Sequence, residues 1–219
     1  MIERFDCDQG SLDWQLARLG LPTASMFDAV LAKGRGGAES LTRARYLRTL
    51  AAELITGEPG ESFVTPAMER GKQMEAEARE FYAFVHDADP ELVGFIKNGR
   101  AGCSPDALLG DDGTLEIKTK RGDILIDALL RDEFPAEHIP QCQGNLWVAE
   151  REWIDLACYW PGLPMLVKRA YRDEPYIKAL AGEVARFNDE LAAIVDRVKA
   201  YGSAPKAVLR EALERSAAK

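Results

Sequence analysis

The chain has 219 residues, 47% of them hydrophobic, and a formal net charge of −8. That length suits one large domain with a sizeable core, and the acidic balance excludes a protein whose whole surface attracts nucleic acid, while leaving room for a local basic groove. No run of about 18 apolar residues is present, so no membrane span is expected; the charged start MIERFDCDQG lacks the apolar core of a signal peptide, and four scattered cysteines without a CxxC pair read as reduced thiols of a cytosolic protein.

Residues 11–33 read as helical, with Thr23-Ala24-Ser25 offering an N-cap before Met26 to Leu31. Residues 39–56 predict a strong helix, because Leu41, Tyr46, Leu47, Leu50, Leu54 and Ile55 recur near the helical period. A third helix over 65–86 starts at Thr65 with Pro66 in its first position. The character then changes. Residues 91–96, the stretches around 101–109 and 114–119, and later 153–159 and 165–169, predict strands, with Asn98-Gly99 as a hairpin turn. Helices are expected over 122–131 and 136–150, a long amphipathic one over 174–200, and a short helical tail from about 204. The expected architecture is a single α/β domain over 1–219: a helical part over 1–88, a catalytic sheet core over 89–172 and C-terminal helices over 173–219, with a central mixed sheet flanked by helices.

The chemistry concentrates around Asp106 and Leu115-Glu116-Ile117-Lys118. On a strand, side chains two apart share a face, so Glu116 and Lys118 point one way and Leu115 and Ile117 face the core. A hairpin brings Asp106 back beside them. Two carboxylates and an ammonium on one surface suit a Mg²⁺ site for phosphodiester cleavage. The same residues also suit a solvated strand face with a weak ion pair. Glu75, in Gly71-Lys72-Gln73-Met74-Glu75, lies one turn past a glycine that permits close approach of another element, and is either a further carboxylate for the site or a solvated helical acid. Gln141 can orient a water without competing as an ionised ligand. His138 lies one turn before it and is either structural or functional; spacing alone does not make it a metal ligand. Arg18 and Ser25, in the stretch from Trp14 to Ser25, suit a phosphate, or else a surface arginine and a helix cap. Lys33, Arg35, Arg43, Arg45 and Arg48 form one basic cluster, and Lys118, Lys120 and Arg121 another.

Together these segments resemble the phage lambda exonuclease family, also called the YqaJ-type viral recombinases. The resemblance runs from Trp14 to about Trp160 and rests on five ordered motifs. They are Trp-x-x-x-Arg-x-Gly-x-x-Thr-Ala-Ser at 14–25, Gly-Lys-Gln-x-Glu at 71–75, Cys-Ser-Pro-Asp at 103–106, Leu-Glu-Ile-Lys at 115–118, and Gln-x-Gln with a following Trp at 141–147.

The resemblance implies a type II restriction endonuclease-like core that degrades one strand of linear duplex DNA from 5′-phosphorylated ends, leaving 3′ overhangs for a single-strand annealing protein. Asp106, Glu116 and the main-chain carbonyl of Ile117 would bind Mg²⁺, two ions in all with Mn²⁺ as a substitute, and Glu75 would support the second position. Lys118 would activate or position the attacking water, and Gln141 would help to hold it. Arg18, Ser25, Arg35 and Ser104 match the 5′-phosphate pocket, and Met68 matches an apolar wedge between the strands. His138 departs from the phage lambda residue, which is Tyr. Family members form ring-shaped homotrimers, and the setting implied is the cytoplasm of a bacterial host. Two other functions use the same residues: a restriction-type or structure-specific endonuclease, which needs no 5′-phosphate pocket, and a non-catalytic DNA-binding module.

Overall fold

The computed structural model describes residues 2–34, 36, 40–60 and 66–201, with the side chains of 66–69 and 72 outside that description. The expected cap Thr65, the basic residue Arg35, the side chain of Met68 and the helical tail from 204 fall outside the described residues.

A short strand β1 (Ile2–Phe5) opens the chain, followed by α1 (Leu12–Ala17), a 3-10 turn (Ala24–Met26) and α2 (Phe27–Leu31). The helix expected over 11–33 is therefore broken. Gly20 adopts φ +68°, and Leu21 precedes Pro22, which disfavours helical geometry at the residue before it. Helix α3 (Leu41–Thr56) is capped by the Ser40 side chain, which accepts from the Arg43 N–H, and stops at left-handed Gly57. Helix α4 (Pro66–His86) precedes a run of strands: β2 (Pro90–Glu91), β3 (Phe95–Asn98), β4 (Ala101–Cys103), β5 (Ala107–Leu109) and β6 (Gly113–Thr119). Helices α5 (Gly122–Arg131) and α6 (Ile139–Ala149) carry the chain to β7 (Trp153–Tyr159), β8 (Leu166–Tyr171) and the long α7 (Glu174–Lys199). Strand β1 was not anticipated; four residues carry too little pattern to mark a strand.

The strands form two sheets, β1-β3-β4 and β2-β5-β6-β7-β8. The β6–β7 pair is parallel, with Glu116 opposite Leu156 and Lys118 opposite Cys158, and the other pairs are antiparallel. A parallel pair needs a long crossover, and α5 and α6 supply it. That crossover decides the two faces of β6. Leu115 and Ile117 pack with Ala78 and Tyr82 of α4. Leu125 of α5 and Cys142 and Leu146 of α6 cover the other face, against Ile154, Leu156 and Cys158. Glu116 and Lys118 share that second face and so meet α6.

A buried acid, Asp155 of β7, fastens α4 to the sheet and is itself held by β8. Tyr82 Oη donates to Asp155 Oδ2 at 2.6 Å, and Arg169 grips both Asp155 oxygens at 2.8 Å. Close approach at a glycine does occur, but at Gly144 rather than Gly71. A Cβ on Gly71 would lie 3.7 Å from Thr119 Oγ1, an ordinary contact, whereas one on Gly144 would fall 2.5 Å from Phe27 Cδ2. Gly144 thus lets α6 lie directly against α2. The four cysteines are free thiols, three of them buried.

Candidate active site

Strand β5 begins one residue after Asp106, and the Asp106 N–H donates to the Leu115 carbonyl at 3.0 Å. The hairpin therefore delivers Asp106 beside residues 115–117 of β6, as expected. Its Oδ2 accepts from the Ile117 N–H at 2.5 Å. Glu116 lies on the covered face of β6 and is 3% exposed, so the reading as a solvated strand face does not hold. Three donors converge on its carboxylate: Lys118 Nζ at 2.8 Å and Gln141 Nε2 at 2.5 Å on Oε1, and Asn145 Nδ2 at 2.9 Å on Oε2. Lys118 Nζ also donates to Gln141 Oε1 at 2.9 Å. Helix α6 therefore presents Gln141 and Asn145, four residues apart on one face, to a strand carboxylate.

The electrostatics of this group point to a cation. Burial pushes the Asp106 carboxyl well above the usual carboxylate range; the charges of Glu116 and Glu75 add to the push, while the Ile117 N–H and Lys118 oppose it. Burial disfavours the charge on Lys118, but Glu116 and Asp106 outweigh it and hold the ammonium above its ordinary value. Asp106, pushed toward neutrality, and the buried Glu116 beside it form a donor set of hard oxygens that fits a divalent cation such as Mg²⁺.

Glu75 approaches differently. Helix α4 covers the opposite face of β6 from Glu116, and Glu75 on it lines the larger groove with Arg79. It pairs with Arg79 at 3.6 Å, and Arg79 Nη1 donates to the Asp106 carbonyl at 3.1 Å. Among the described residues, no three His, Cys, Asp or Glu side chains gather as a ready ligand set. His138 ends a 3-10 turn (Ala136–His138), where its Nε2 lies 2.8 Å from Lys120 Nζ. Burial and the charges of Lys120 and Lys118 push it down to about 4, so the neutral ring accepts from Lys120. It is directed at a lysine rather than at the carboxylates.

The second group assembles beside the first. Arg18 stacks on the Trp14 ring, 4.2 Å from its centroid, and Nη2 donates to Thr23 Oγ1 at 3.1 Å. Thr23 Oγ1 and Ser25 Oγ are 3.3 Å apart. Trp14 Nε1 donates to Ser104 Oγ at 2.8 Å, and Ser104 in turn donates to the Gly94 carbonyl at 2.8 Å. Gln9 Nε2 braces the same corner through the carbonyls of Val93 and Pro105 at 2.9 and 3.0 Å. The structure brings Arg18, Ser25 and Ser104 together with Asp106, Glu116 and Gln141 around one pocket of about 170 Å³, which Gln9, Trp14, Thr23 and Asn145 also line.

A larger groove of about 940 Å³ shares Gln9, Trp14 and Arg18 with that pocket and continues past Glu75, Arg79, Arg45 and Thr49. Of the described members of the basic cluster over residues 33–48, Arg45 alone lines this groove. Arg43 is engaged by Glu190 at 2.6 and 2.9 Å, and Arg121 of the second cluster pairs with Asp123 at 2.5 Å. Gln9 and Asn145 are site residues that the motif reading did not single out, while Trp14 and Thr23 stood in the first motif without a role in the site. Asn145 had a usable signal, its position one helical turn after Gln141; Gln9 had none, because its partners are main-chain carbonyls distant in sequence.

A mixed sheet between helices, with an Asp, a Glu and a Lys on its central hairpin, defines the class: a nuclease core of the type II restriction endonuclease-like fold. Residues 13–152 match the model of the YqaJ-like viral recombinase domain, and the chain belongs to that family. Among solved structures it is similar to the alkaline exonuclease LHK-Exo of Laribacter hongkongensis, with 30% identity and a TM-score of 0.80 over 88% of this chain and 98% of that one. The same enzyme in complex with dAMP matches equally, with 30% identity and a TM-score of 0.80 over the same shares of the two chains. A phage-related exonuclease from Haemophilus somnus 129PT shares the fold at 11% identity, with a TM-score of 0.63 over 81% of this chain and 96% of that one. No curated protein matches the sequence.

Proposed function

We propose that this protein is a Mg²⁺-dependent 5′-to-3′ exonuclease that degrades one strand of linear double-stranded DNA, prefers 5′-phosphorylated ends and leaves 3′ single-stranded overhangs. The observation that carries this reading is the shared pocket: Arg18, Ser25 and Ser104 line the same 170 Å³ space as Asp106 and Glu116. An arginine beside two hydroxyls suits a terminal phosphate, and its place beside the carboxylates puts that phosphate next to the bond to be cut. Family membership and the likeness to an alkaline exonuclease support the same reading.

Asp106 and Glu116 would hold the cation, with the Ile117 carbonyl as a further ligand and Glu75 supporting a second position. A strand residue directs its N–H and C=O to the same side. The Ile117 N–H reaches Asp106, just before β5 begins, so its carbonyl faces the same gap. Once bound, Mg²⁺, or Mn²⁺ in its place, supplies Lewis-acid stabilisation of phosphoryl charge and a more acidic water. Lys118, held as an ammonium, stabilises negative charge developing at the scissile phosphate. Gln141 orients the water through its amide. Arg18 fixes register by binding energy remote from the breaking bond. The larger groove is the path for the duplex, Arg35 would join the phosphate pocket, and Met68 would part the strands. As in the family, the working form would be a ring-shaped homotrimer in the bacterial cytoplasm, supplying overhangs to an annealing protein.

An endonuclease built on the same carboxylates would cut a covalently closed circle. With Mg²⁺, linear duplex should be digested, the closed circle of the same sequence should remain intact, and EDTA should stop the reaction. Linearisation of the circle would overturn the exonuclease reading.

A further inference from the structure

Asn145 is 1% exposed and follows Gly144, the residue through which α6 is clamped against Phe27. Its Nδ2 donates to Glu116 Oε2 at 2.9 Å. A carboxylate only accepts, so the amide must present its NH₂ end, which fixes the Asn145 rotamer as well. The other oxygen, Oε1, is held by Lys118 and Gln141, whose longer side chains carry the donors on flexible ends. Lys118 keeps 26% of its side chain exposed and can swing aside; Asn145 has no such freedom.

The two oxygens of Glu116 are thus unequal. Oε1 is released when its mobile partners move; Oε2 leaves its partner only by stranding a buried amide. Mg²⁺ and Mn²⁺ are satisfied by single oxygens in compact octahedral geometry, whereas Ca²⁺ favours carboxylates that offer both oxygens. Resting on the metal reading above, we propose that Asn145 is a positioning residue that confines Glu116 to one-oxygen coordination and so selects the smaller cations over Ca²⁺.

The test is calorimetric titration of the full-length protein, without DNA, with Mg²⁺, Mn²⁺ and Ca²⁺. Wild type is compared with Asn145→Leu, an apolar near-isostere, and with Asn145→Ser, which removes the amide with less bulk and keeps the test open if the leucine variant fails to fold. Thermal melting in EDTA reports folding. Loss of the amide should raise the affinity for Ca²⁺ relative to Mg²⁺ by about tenfold, the scale on which partners of metal ligands act. An unchanged ratio in the folded variants, or affinities for all three cations that fall in proportion, would overturn the proposal and leave Asn145 a packing residue. Failure of wild type to bind any of the three would instead overturn the metal reading itself.

Discussion

Lys118 sits in the site as an ammonium, because Glu116 and Asp106 more than offset its burial. A group that keeps its proton is poorly placed to take one from water, so the contribution proposed for it is electrostatic. Lys118→Ala should lower the cleavage rate by about 10²- to 10³-fold, the scale set by loss of one charge-stabilising donor, with duplex binding in EDTA retained; near-normal digestion would contradict this. His138 allows a different prediction. Its ring is pushed from 6.5 down to about 4, so the folded state favours the neutral form. A depressed histidine contributes stability that is complete above about pH 6.5 and is lost as pH falls through about 4. His138→Gln should flatten that part of the pH–stability curve by on the order of 1 kcal/mol, the shift being discounted for solvent screening at a half-buried ring. Urea midpoints at pH 7 and pH 5 check it; an identical pH dependence in the variant would refute it. Asp106, Glu116 and Lys118 were legible in the sequence as one group because hairpin and strand geometry brings such spacings together, and Gln141 was legible through its side-chain chemistry and the motif that it opens. The burial of Glu116 was not, because the helix that covers it, α6, lies within the crossover from Thr119 to Trp153 and is distant from it in sequence.

At the scale of elements, α6 is the part on which the site depends. It carries Gln141 and Asn145, and Gly144 sets its distance from α2. Gly144→Ala would place a methyl group 2.5 Å from the Phe27 ring. Overpacking of this kind costs about 1–3 kcal/mol, and the displaced helix would carry both amides away from Glu116. The variant should show a lower melting temperature together with weakened Mg²⁺ dependence, measured by melting and by activity against Mg²⁺ concentration; wild-type behaviour in both would contradict the role given to α6. Helices α3 and α7 followed from apolar spacing, and α4 from its start signal with Pro66 in the first position. The stretch over 11–33 did not, because Gly20 and Pro22 break a helix whose composition otherwise favours one. Gly71 and Gly144 show the limit of reading glycines from sequence: only the packed neighbours distinguish an ordinary contact from a required one.

For the whole molecule, a net charge of −8 coexists with a pocket that is suited to phosphate. Among the described residues, the cations that would meet DNA are few and placed: Arg18 in the pocket and Arg45 and Arg79 along the groove, with Arg43 and Arg121 engaged elsewhere. Binding through few contacts at an acidic surface should weaken as salt rises. The central claim joins an end-recognition pocket to a cutting site, and one measurement addresses both. A linear duplex with one 5′-phosphate and one 5′-hydroxyl end, each strand carrying a distinct label, is digested with Mg²⁺ by wild type and by Arg18→Ala. The account predicts loss of the 5′-phosphorylated strand from its 5′ end, a 3′ overhang as product, and a preference between the two ends that disappears in Arg18→Ala. Loss from 3′ ends, internal cuts, or the same end preference in the variant would contradict it.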